Sequence, residues 1–292
     1  MPNYPHLAQR LFNTPLAITP GKIEIIMAAL ADRFGLAHLF RPDGTMLAFD
    51  DDDEYFDRGE PAHDTPYDVV HGVACVPVQG TLVQKLGTLR PYSGMTGYDG
   101  IRANLSMALD DDSVRAVVVD IDSPGGECAG LFDLVDAIHD ARGEKPVHAI
   151  LTENAYSAAY AIASACDRVI VPRTGGTGSV GIITAHVDFS QALSEAGIVV
   201  TLITYGDRKA DGNEVNPLSK EARERIQADV DVMGDLFVET VARNRGMSVR
   251  AVRDTQATTF LGARGVDIGF ADAVMSPAAA FHSLLAELGS SQ

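Results

Sequence analysis

The sequence predicts an α/β fold in which a mainly parallel sheet is flanked by helices, and three observations support this prediction. From Val69 onward, short apolar runs alternate with segments of helical periodicity, the pattern of a layered α/β domain. The run Val114–Ile121 is dominated by valine and isoleucine, as expected for a strand buried on both faces. The chain has 292 residues, of which 46% are hydrophobic, so it can bury a sizeable core.

The predicted strands are short runs rich in valine and isoleucine, bounded by glycine, proline or polar residues. In chain order they are Val73–Val78, Val114–Ile121, Val147–Leu151, Arg168–Val171, Ile182–Asp188 and Val199–Ile203. The glycine-rich segment 175–181 separates two of them and is predicted to be a turn.

The predicted helices carry apolar residues three and four positions apart, which places those residues on one face. In chain order they are Lys22–Phe34, Tyr98–Asp110, Cys128–Ala141, Ser157–Cys166, Phe189–Ala196 and Lys220–Arg245. The segment Ser157–Cys166 is rich in small residues, so we expect it to pack closely against its neighbours.

The first part of the chain differs in composition from the rest. It combines one amphipathic helix with the acidic run Asp50–Glu54 and a proline-containing linker. We therefore expect an N-terminal helical and linker segment over 1–68, a large α/β domain over 69–276, and a C-terminal helix or tail over 277–292.

The bulk composition excludes several classes of function. A formal net charge of −17 disfavours nucleic-acid binding through a basic surface. The three cysteines, Cys75, Cys128 and Cys166, lack the spacing of a zinc site or a disulfide framework, and we expect no metal and no cofactor. No apolar run reaches the length of a membrane span, and the N-terminus lacks signal-peptide features. We therefore expect a cytoplasmic protein with no membrane partner.

Ser157 is the first candidate for a chemical role. It lies in the run Asn154–Tyr160, at the predicted start of an alanine-rich helix. Free backbone N–H groups and the helix dipole favour negative charge at such a position. A serine hydroxyl becomes a good nucleophile when a nearby base takes its proton. Serine is also a common helix N-cap, so this position alone does not decide its role.

A glycine turn follows the predicted strand Val114–Ile121. Within the segment Asp120–Gly126, Pro124 fixes the turn while Gly125 and Gly126 let the backbone approach a ligand closely. Ligands bind at the ends of strands in open α/β sheets. The N–H groups of this turn are therefore candidates to stabilise an oxyanion, although a tight structural turn explains the same residues.

Lys209 is the candidate base. A lysine can take a serine proton when burial leaves its amine neutral. Lys209 is one of only five lysines and follows the predicted strand Val199–Ile203 in a glycine-containing loop. The structural alternative is an exposed loop lysine. A second glycine-rich loop, Gly178–Gly181, contains the competing nucleophile Ser179, which lacks a following small-residue helix.

Taken together, these motifs resemble the signal-peptide-peptidase-like serine peptidases and, more narrowly, the phage head-maturation proteases. The matching segments are Val76–Gly80, Asp120–Gly126, Ala155–Tyr160, Gly178–Ile182 with His186 and Asp188, and Lys209–Leu218. They occur in a fixed order between about Val73 and Val274.

The resemblance implies a ClpP/crotonase-like fold with a Ser–Lys dyad. It makes Ser157 the nucleophile and Lys209 the general base, with Gly125, Gly126 and the N–H of Ala158 as oxyanion donors. It further implies a ring-like homo-oligomer in which neighbouring subunits can share one site. The implied substrates are phage scaffold, portal or capsid proteins, cleaved in the host cytoplasm or within the procapsid.

Four alternatives stay open at this point. His186 and Asp188 could complete a Ser–His–Asp triad of the ClpP type with Ser157. The chain could instead be a host signal peptide peptidase. The chain could also be an enzyme that acts on acyl-CoA thioesters, because crotonase-like folds include such enzymes. Finally, the chain could be a non-enzymatic scaffold partner in capsid assembly, with a vestigial dyad.

Overall fold

The structure is a computed structural model that describes residues 12–31 and 66–290. The acidic run Asp50–Glu54 and most of the predicted linker lie outside the described residues. The predicted N-terminal helix begins at Pro20 and is described as far as Ala31.

The described strands are mostly short, apart from three long central ones. In chain order they are β1 Leu16–Ile18, β2 Asp68–Val70, β3 Val73–Gln79, β4 Thr81–Val83, β5 Met95–Gly97, β6 Ala116–Ser123, β7 Gly125–Glu127, β8 Val147–Tyr156, β9 Arg168–Val171, β10 Gly176–Gly178, β11 Thr259–Leu261 and β12 Ala273–Val274.

The described helices include all six predicted amphipathic segments and two short helices, over 249–253 and 263–267, that were not predicted. They are α1 Pro20–Ala31, α2 Tyr98–Asp110, α3 Leu131–Asp140, α4 Ala158–Ala165, α5 Ser190–Glu195, α6 Lys220–Arg245, α7 Val249–Arg253, α8 Ala263–Asp267 and α9 Pro277–Ser290. The bounds of α2 and α6 match the predictions, and α6 begins with the Ser219 side chain accepting a hydrogen bond from the Ala222 N–H.

The main sheet is largely parallel, so the predicted α/β class is confirmed. Strands β3, β6 and β8 pair in parallel, while β2 pairs antiparallel with β3 at one edge. The first half of β8 pairs with β9, and its last residues, Ala155 and Tyr156, pair with β10. A second sheet of described strands has the order β1-β7-β4-β5. Both sheets therefore meet near the C-terminal ends of β6 and β8, where β7 follows β6.

Helices cover both faces of the main sheet. Apolar residues of α2, α3, α4 and α6 form one large buried cluster on the first face. On the second face, Ala280 and Leu284 of α9 pack against Val118, Ile150 and Ile170. The segment 277–290 therefore covers the sheet. The predicted division into 1–68, 69–276 and 277–292 stays a prediction.

Two predicted strands are wrong. Ile182–Asp188 contributes only isolated bridges, from Ile183 and Ala185 to the N-terminal segment, and Val199–Ile203 forms no strand. The physical reason is that a strand needs a partner for its backbone groups. Within the described residues, no strand pairs with 198–205. Conversely, the predicted turn 175–181 contains the short strand β10.

No helix in the described part of the chain is long and apolar enough to cross a membrane.

A buried histidine makes the stability of this fold depend on pH. His148 lies within β8, only 3% exposed, and its Nδ1 has no hydrogen-bond partner among the described residues. Burial lowers the pKa of His148, although the negative charge of Glu287 opposes this effect. Because the unfolded chain then binds a proton at a higher pH than the folded chain, the folded state loses stability as the pH falls below about 6.5.

We expect His148→Leu to remove this component of the pH dependence. Urea unfolding at about pH 7.5 and about pH 5.5, on either side of the ordinary histidine pKa, measures it for both proteins. The wild type should lose more unfolding free energy than the variant between the two pH values. Equal losses would show that His148 does not titrate differently on folding.

Candidate active site

Ser157 occupies a strained turn between β8 and α4. Its backbone angles are φ 54° and ψ −119°, a positive-φ conformation outside the left-handed helical region that costs a residue with a Cβ about 1–3 kcal/mol. The Ser157 N–H donates to the Gly178 carbonyl at 2.8 Å, and the carbonyl of Ser157 accepts from the Ala161 N–H at 3.0 Å. Such a strained strand-to-helix turn is the local geometry of a nucleophile elbow.

The same conformation occurs elsewhere in the chain with a glycine. Gly262, which precedes α8, has φ 47° and ψ −117°. Glycine adopts this conformation without the steric cost of a Cβ, so it is the residue expected at such a turn. A serine at the equivalent point before α4 therefore has a conformational free-energy cost that a glycine would avoid. Strain of this kind collects at functional sites.

Helix α4 is fixed at its far end by Arg142. All eight residues of α4 are buried. The Arg142 guanidinium donates to the carbonyls of Ser164, Ala165 and Cys166 at 2.6–2.9 Å. These carbonyls lie at or just beyond the C-terminus of α4, where no intrahelical donor remains for them. The position of Ser157 at the other end is thus set by the core.

The glycine turn lies directly beside Ser157. A Cβ built on Gly125 would lie 3.0 Å from the Ser157 Cβ, and one on Gly126 would lie 1.9 Å from the Leu82 carbonyl oxygen. Both positions therefore require glycine. The Gly125 N–H donates to the Ser123 hydroxyl at 3.1 Å, and that hydroxyl donates to the Gly80 carbonyl at 2.7 Å.

These bonds refine the expected oxyanion donors. The sequence indicated Ser123 only as part of the turn, but its hydroxyl oxygen accepts the hydrogen bond of the Gly125 N–H. An oxyanion bound at this N–H would therefore have to displace the Ser123 hydroxyl. The N–H of Ala158 is at the first position of α4 and has no intrahelical acceptor. The oxyanion role of Gly125, Gly126 and Ala158 stays a prediction.

Lys209 is not brought to Ser157 within one chain. Its side chain is exposed and, among residues 12–31 and 66–290, has no hydrogen-bond or ion-pair partner. The Ser157 hydroxyl has one long hydrogen bond, to the Gly181 carbonyl at 3.5 Å. The predicted dyad therefore needs either a movement of the loop or a second copy of the chain.

The alternative triad is not assembled either. His186 Nδ1 lies 2.9 Å from the Asn13 side-chain oxygen, and Asp188 instead accepts from the Ser190 N–H at 2.8 Å. Hydrogen bonding by Ser190 lowers the pKa of Asp188. His186 lines a cavity of about 360 Å³ between segment 182–186 and the start of α6, and its buried Nε2 has no partner in the described chain.

The cysteines offer no competing nucleophile. Burial, with the nearby charge of Glu127, raises the pKa of Cys128 to about 12, and burial raises the pKa of Cys166 to about 12. Burial raises that of Cys75 to about 11. Thiols with such values are protonated at neutral pH and react slowly. In the described residues, no group of three or more histidine, cysteine or carboxylate side chains is placed to hold a metal ion.

Comparison with known proteins identifies the family. A model described as "Peptidase family S49" matches residues 139–289, more than half of the chain. The chain belongs to peptidase family S49. The S49 match includes Ser157 and Lys209 and begins after the glycine turn.

Two of the similar proteins come from phages, which confirms the resemblance inferred from the motifs. The chain is 41% identical over 295 residues to the head-tail preconnector protein GP5 of Enterobacteria phage P21, covering 99% of this chain and 58% of that protein. It is 37% identical over 284 residues to the capsid assembly protease C of Escherichia phage lambda, covering 94% of this chain and 64% of that protein. The chain thus spans about three fifths of the length of these relatives.

A solved structure of a ClpP1 variant from Listeria monocytogenes also matches. The TM-score is 0.42 and the identity 12%, with 69% of this chain and 90% of that chain covered.

Proposed function

We propose that this S49 chain is a serine endopeptidase that cleaves proteins of phage head assembly, with Ser157 as nucleophile and Lys209 as general base. The observation that carries the proposal is the strained Ser157 turn, at the end of β8, at the start of α4 and against the glycine turn. The substrate class is taken from the phage relatives, one of which is named a capsid assembly protease.

The chemistry is acyl transfer. The neutral Lys209 amine takes the proton from the Ser157 hydroxyl, whose oxygen attacks the substrate carbonyl carbon. Backbone N–H groups near Gly126 and Ala158 stabilise the resulting oxyanion. The lysine ammonium then gives its proton to the leaving amine as the C–N bond breaks. A water molecule, deprotonated by the same amine, hydrolyses the ester and releases the serine.

The base has to be covered by protein before it can act. A lysine serves as base where burial favours its neutral amine, whereas Lys209 is exposed in a single chain. We therefore place the working Lys209 in the site of a neighbouring subunit of a homo-oligomer. One subunit then provides the serine and the next provides the lysine.

The segment that leads to Lys209 supports such an assembly. Residues 198–205, Ile-Val-Val-Thr-Leu-Ile-Thr-Tyr, expose large apolar side chains: Val199 is 89% exposed and Ile203 is 94% exposed. Contiguous exposed apolar surface on a folded protein marks an interaction site. The composition is that of a β-strand, and a second copy of the chain can supply the partner strand that the described residues do not.

Labelling with a fluorophosphonate probe tests the proposal. We expect the purified oligomer to be labelled at Ser157, as located by peptide mapping, because the probe reacts with an activated serine. Labelling of Lys209→Ala should fall at least about a hundredfold, the usual contribution of a general base. If labelling persists in Lys209→Ala and is lost in His186→Ala, the base is His186, and the site is the alternative Ser157–His186–Asp188 triad. A folded oligomer that stays unlabelled, even when Leu16→Asp/Ile18→Asp weakens the packing of the segment that covers Ser157, would contradict the assignment as a serine peptidase.

A further inference from the structure

The edge of β7 beside Ser157 is already occupied by the chain itself. Residues 12–19, here called the N-terminal strap, contain β1, which pairs antiparallel with β7. The register places Leu16 opposite Glu127, Ala17 opposite Gly126 and Ile18 opposite Gly125. The strap thus lies along the same backbone that carries the glycine turn.

The strap is paired on both of its sides, as a central strand is. On the side away from β7, Leu16 and Ile183 exchange two backbone hydrogen bonds of 2.9 Å, and the Asn13 N–H donates to the Ala185 carbonyl at 2.9 Å. Segment 182–185 and β7 therefore form two walls of a slot whose width is that of one extended peptide. Peptides commonly bind to proteins by adding a strand in this way.

The slot opens onto the nucleophile. The position that a Cβ would take on Gly125 is 2.3 Å from the Ala17 carbonyl oxygen and 3.0 Å from the Ser157 Cβ. A carbonyl of the strap and the side chain of Ser157 thus face the same point, as the carbonyl of a substrate would. Ser157 is completely buried with the strap in place.

We propose that the N-terminal strap is an intramolecular occupant of the peptide-binding slot and has to leave before a protein substrate can reach Ser157. This inference rests on the proposed function, which makes Ser157 the nucleophile. It also indicates the substrate class: an extended segment with large aliphatic side chains at alternate positions. Leu16 and Ile18 are large buried aliphatic residues of one cluster, whereas Ala17 between them is a small residue of the main cluster.

The packing of the strap allows it to leave without opening the main core. Phe12, Leu16, Ile18 and Ile23 form a cluster of their own, with partly buried residues of α1 and of segment 183–187. Within the strap, the residue that belongs to the main cluster is Ala17, whose side chain is a single methyl group.

The far end of the strap contacts the loop that carries the base. The Asn13 side chain donates to the Gly212 carbonyl at 3.0 Å, three residues beyond Lys209, and its oxygen lies 2.9 Å from His186 Nδ1. The strap therefore extends from the nucleophile to the Lys209 loop. Assembly that repositions this loop would also remove a polar anchor of the strap.

A reversible cross-link tests the proposal in the full-length chain. Leu16 and Ile183 form a hydrogen-bonded antiparallel pair, whose Cα atoms are about 5.5 Å apart and suit a disulfide. In Leu16→Cys/Ile183→Cys, we expect oxidation to lower both the binding and the cleavage of an extended peptide at least tenfold, and reduction to restore them. The variants Leu16→Cys and Ile183→Cys, each given the same oxidant, are the controls and also show any effect of the three native cysteines.

Peptide binding is measured separately from cleavage. The strap proposal and the proposed peptidase activity can then be contradicted independently of each other. The probe is a fluorescent peptide with the sequence of residues 12–19, used with proteins that also carry Ser157→Ala. Leu16→Asp/Ile18→Asp should loosen the strap and raise peptide binding at least fivefold. Ile25→Asp on the exposed face of α1 is the matched control and should leave binding unchanged.

Two outcomes would overturn the inference. One is equal peptide binding by the oxidised and reduced forms of the cross-linked protein. The other is the absence of any gain in binding for Leu16→Asp/Ile18→Asp. A third outcome separates the two proposals. If peptide binding changes with the state of the strap as expected, but Ser157 never reacts with the probe, the strap does occupy a peptide-binding slot and the protein is not a serine peptidase.

Discussion

Ser157→Ala is expected to abolish cleavage of a protein substrate, lowering the rate by about 10³-fold or more, the usual effect of removing a serine nucleophile. Stability should change little. Alanine keeps the Cβ and hence the same backbone strain, and the hydrogen bond of the hydroxyl within the described residues is long, at 3.5 Å. Cleavage followed by gel electrophoresis, together with the melting temperature, measures both effects.

Ser179→Ala is the matched control for this variant. Ser179 is also buried, also has a positive φ, of 56°, and lies in the competing glycine-rich loop. It should retain cleavage. If Ser179→Ala lost activity while Ser157→Ala kept it, the nucleophile would be the second serine.

Mixing two inactive variants should restore activity. If Ser157 and Lys209 of one site come from neighbouring subunits, a co-assembled mixture of Ser157→Ala and Lys209→Ala contains some sites with both residues intact. An equal, random mixture should reach about one quarter of the wild-type rate, because each intact residue has an even chance of being present. The measurement is cleavage by the mixture after joint refolding or co-expression.

The control is a mixture of each variant with the double variant Ser157→Ala/Lys209→Ala. No site in that mixture can combine both residues, so it should stay inactive. An inactive mixture of the two single variants, with mixed oligomers demonstrated, would place serine and lysine in one subunit and require the Lys209 loop to move.

The sequence predicts the elements that depend on their own residues. Helices α2 and α6 have the predicted bounds because their apolar residues repeat at helical spacing over three or more turns. Strand β6 lies close to its prediction because its valines are buried on both faces. These features are local, and their burial follows from composition.

The errors concern segments whose conformation depends on a partner. Val199–Ile203 has the composition of a strand, yet the described chain gives it nothing to pair with. Strand β1 has only three residues after a proline, and its partner β7 is more than 100 residues away. Periodicity within a segment contains no information about such pairings.

The candidate site was predicted only in part for the same reason. Ser157 and the glycine turn are local motifs, and the structure brings them together. The strain at Ser157 and the role of Ser123 depend on backbone angles and side-chain direction, which residue types do not reveal. The position of Lys209 relative to Ser157 depends on a loop and on assembly.

Arg142 links the proposed nucleophile, Ser157, to the stability of the whole domain. It holds the last carbonyls of α4 and also donates to the Asn244 carbonyl near the end of α6. Helix α4 is buried along its full length, so it cannot shift without opening the core. We therefore expect that heating does not displace Ser157 gradually. If Ser157 is the nucleophile, we expect it to keep its position until the domain melts cooperatively. An earlier loss of activity on warming would then originate in the Lys209 loop or in dissociation of subunits.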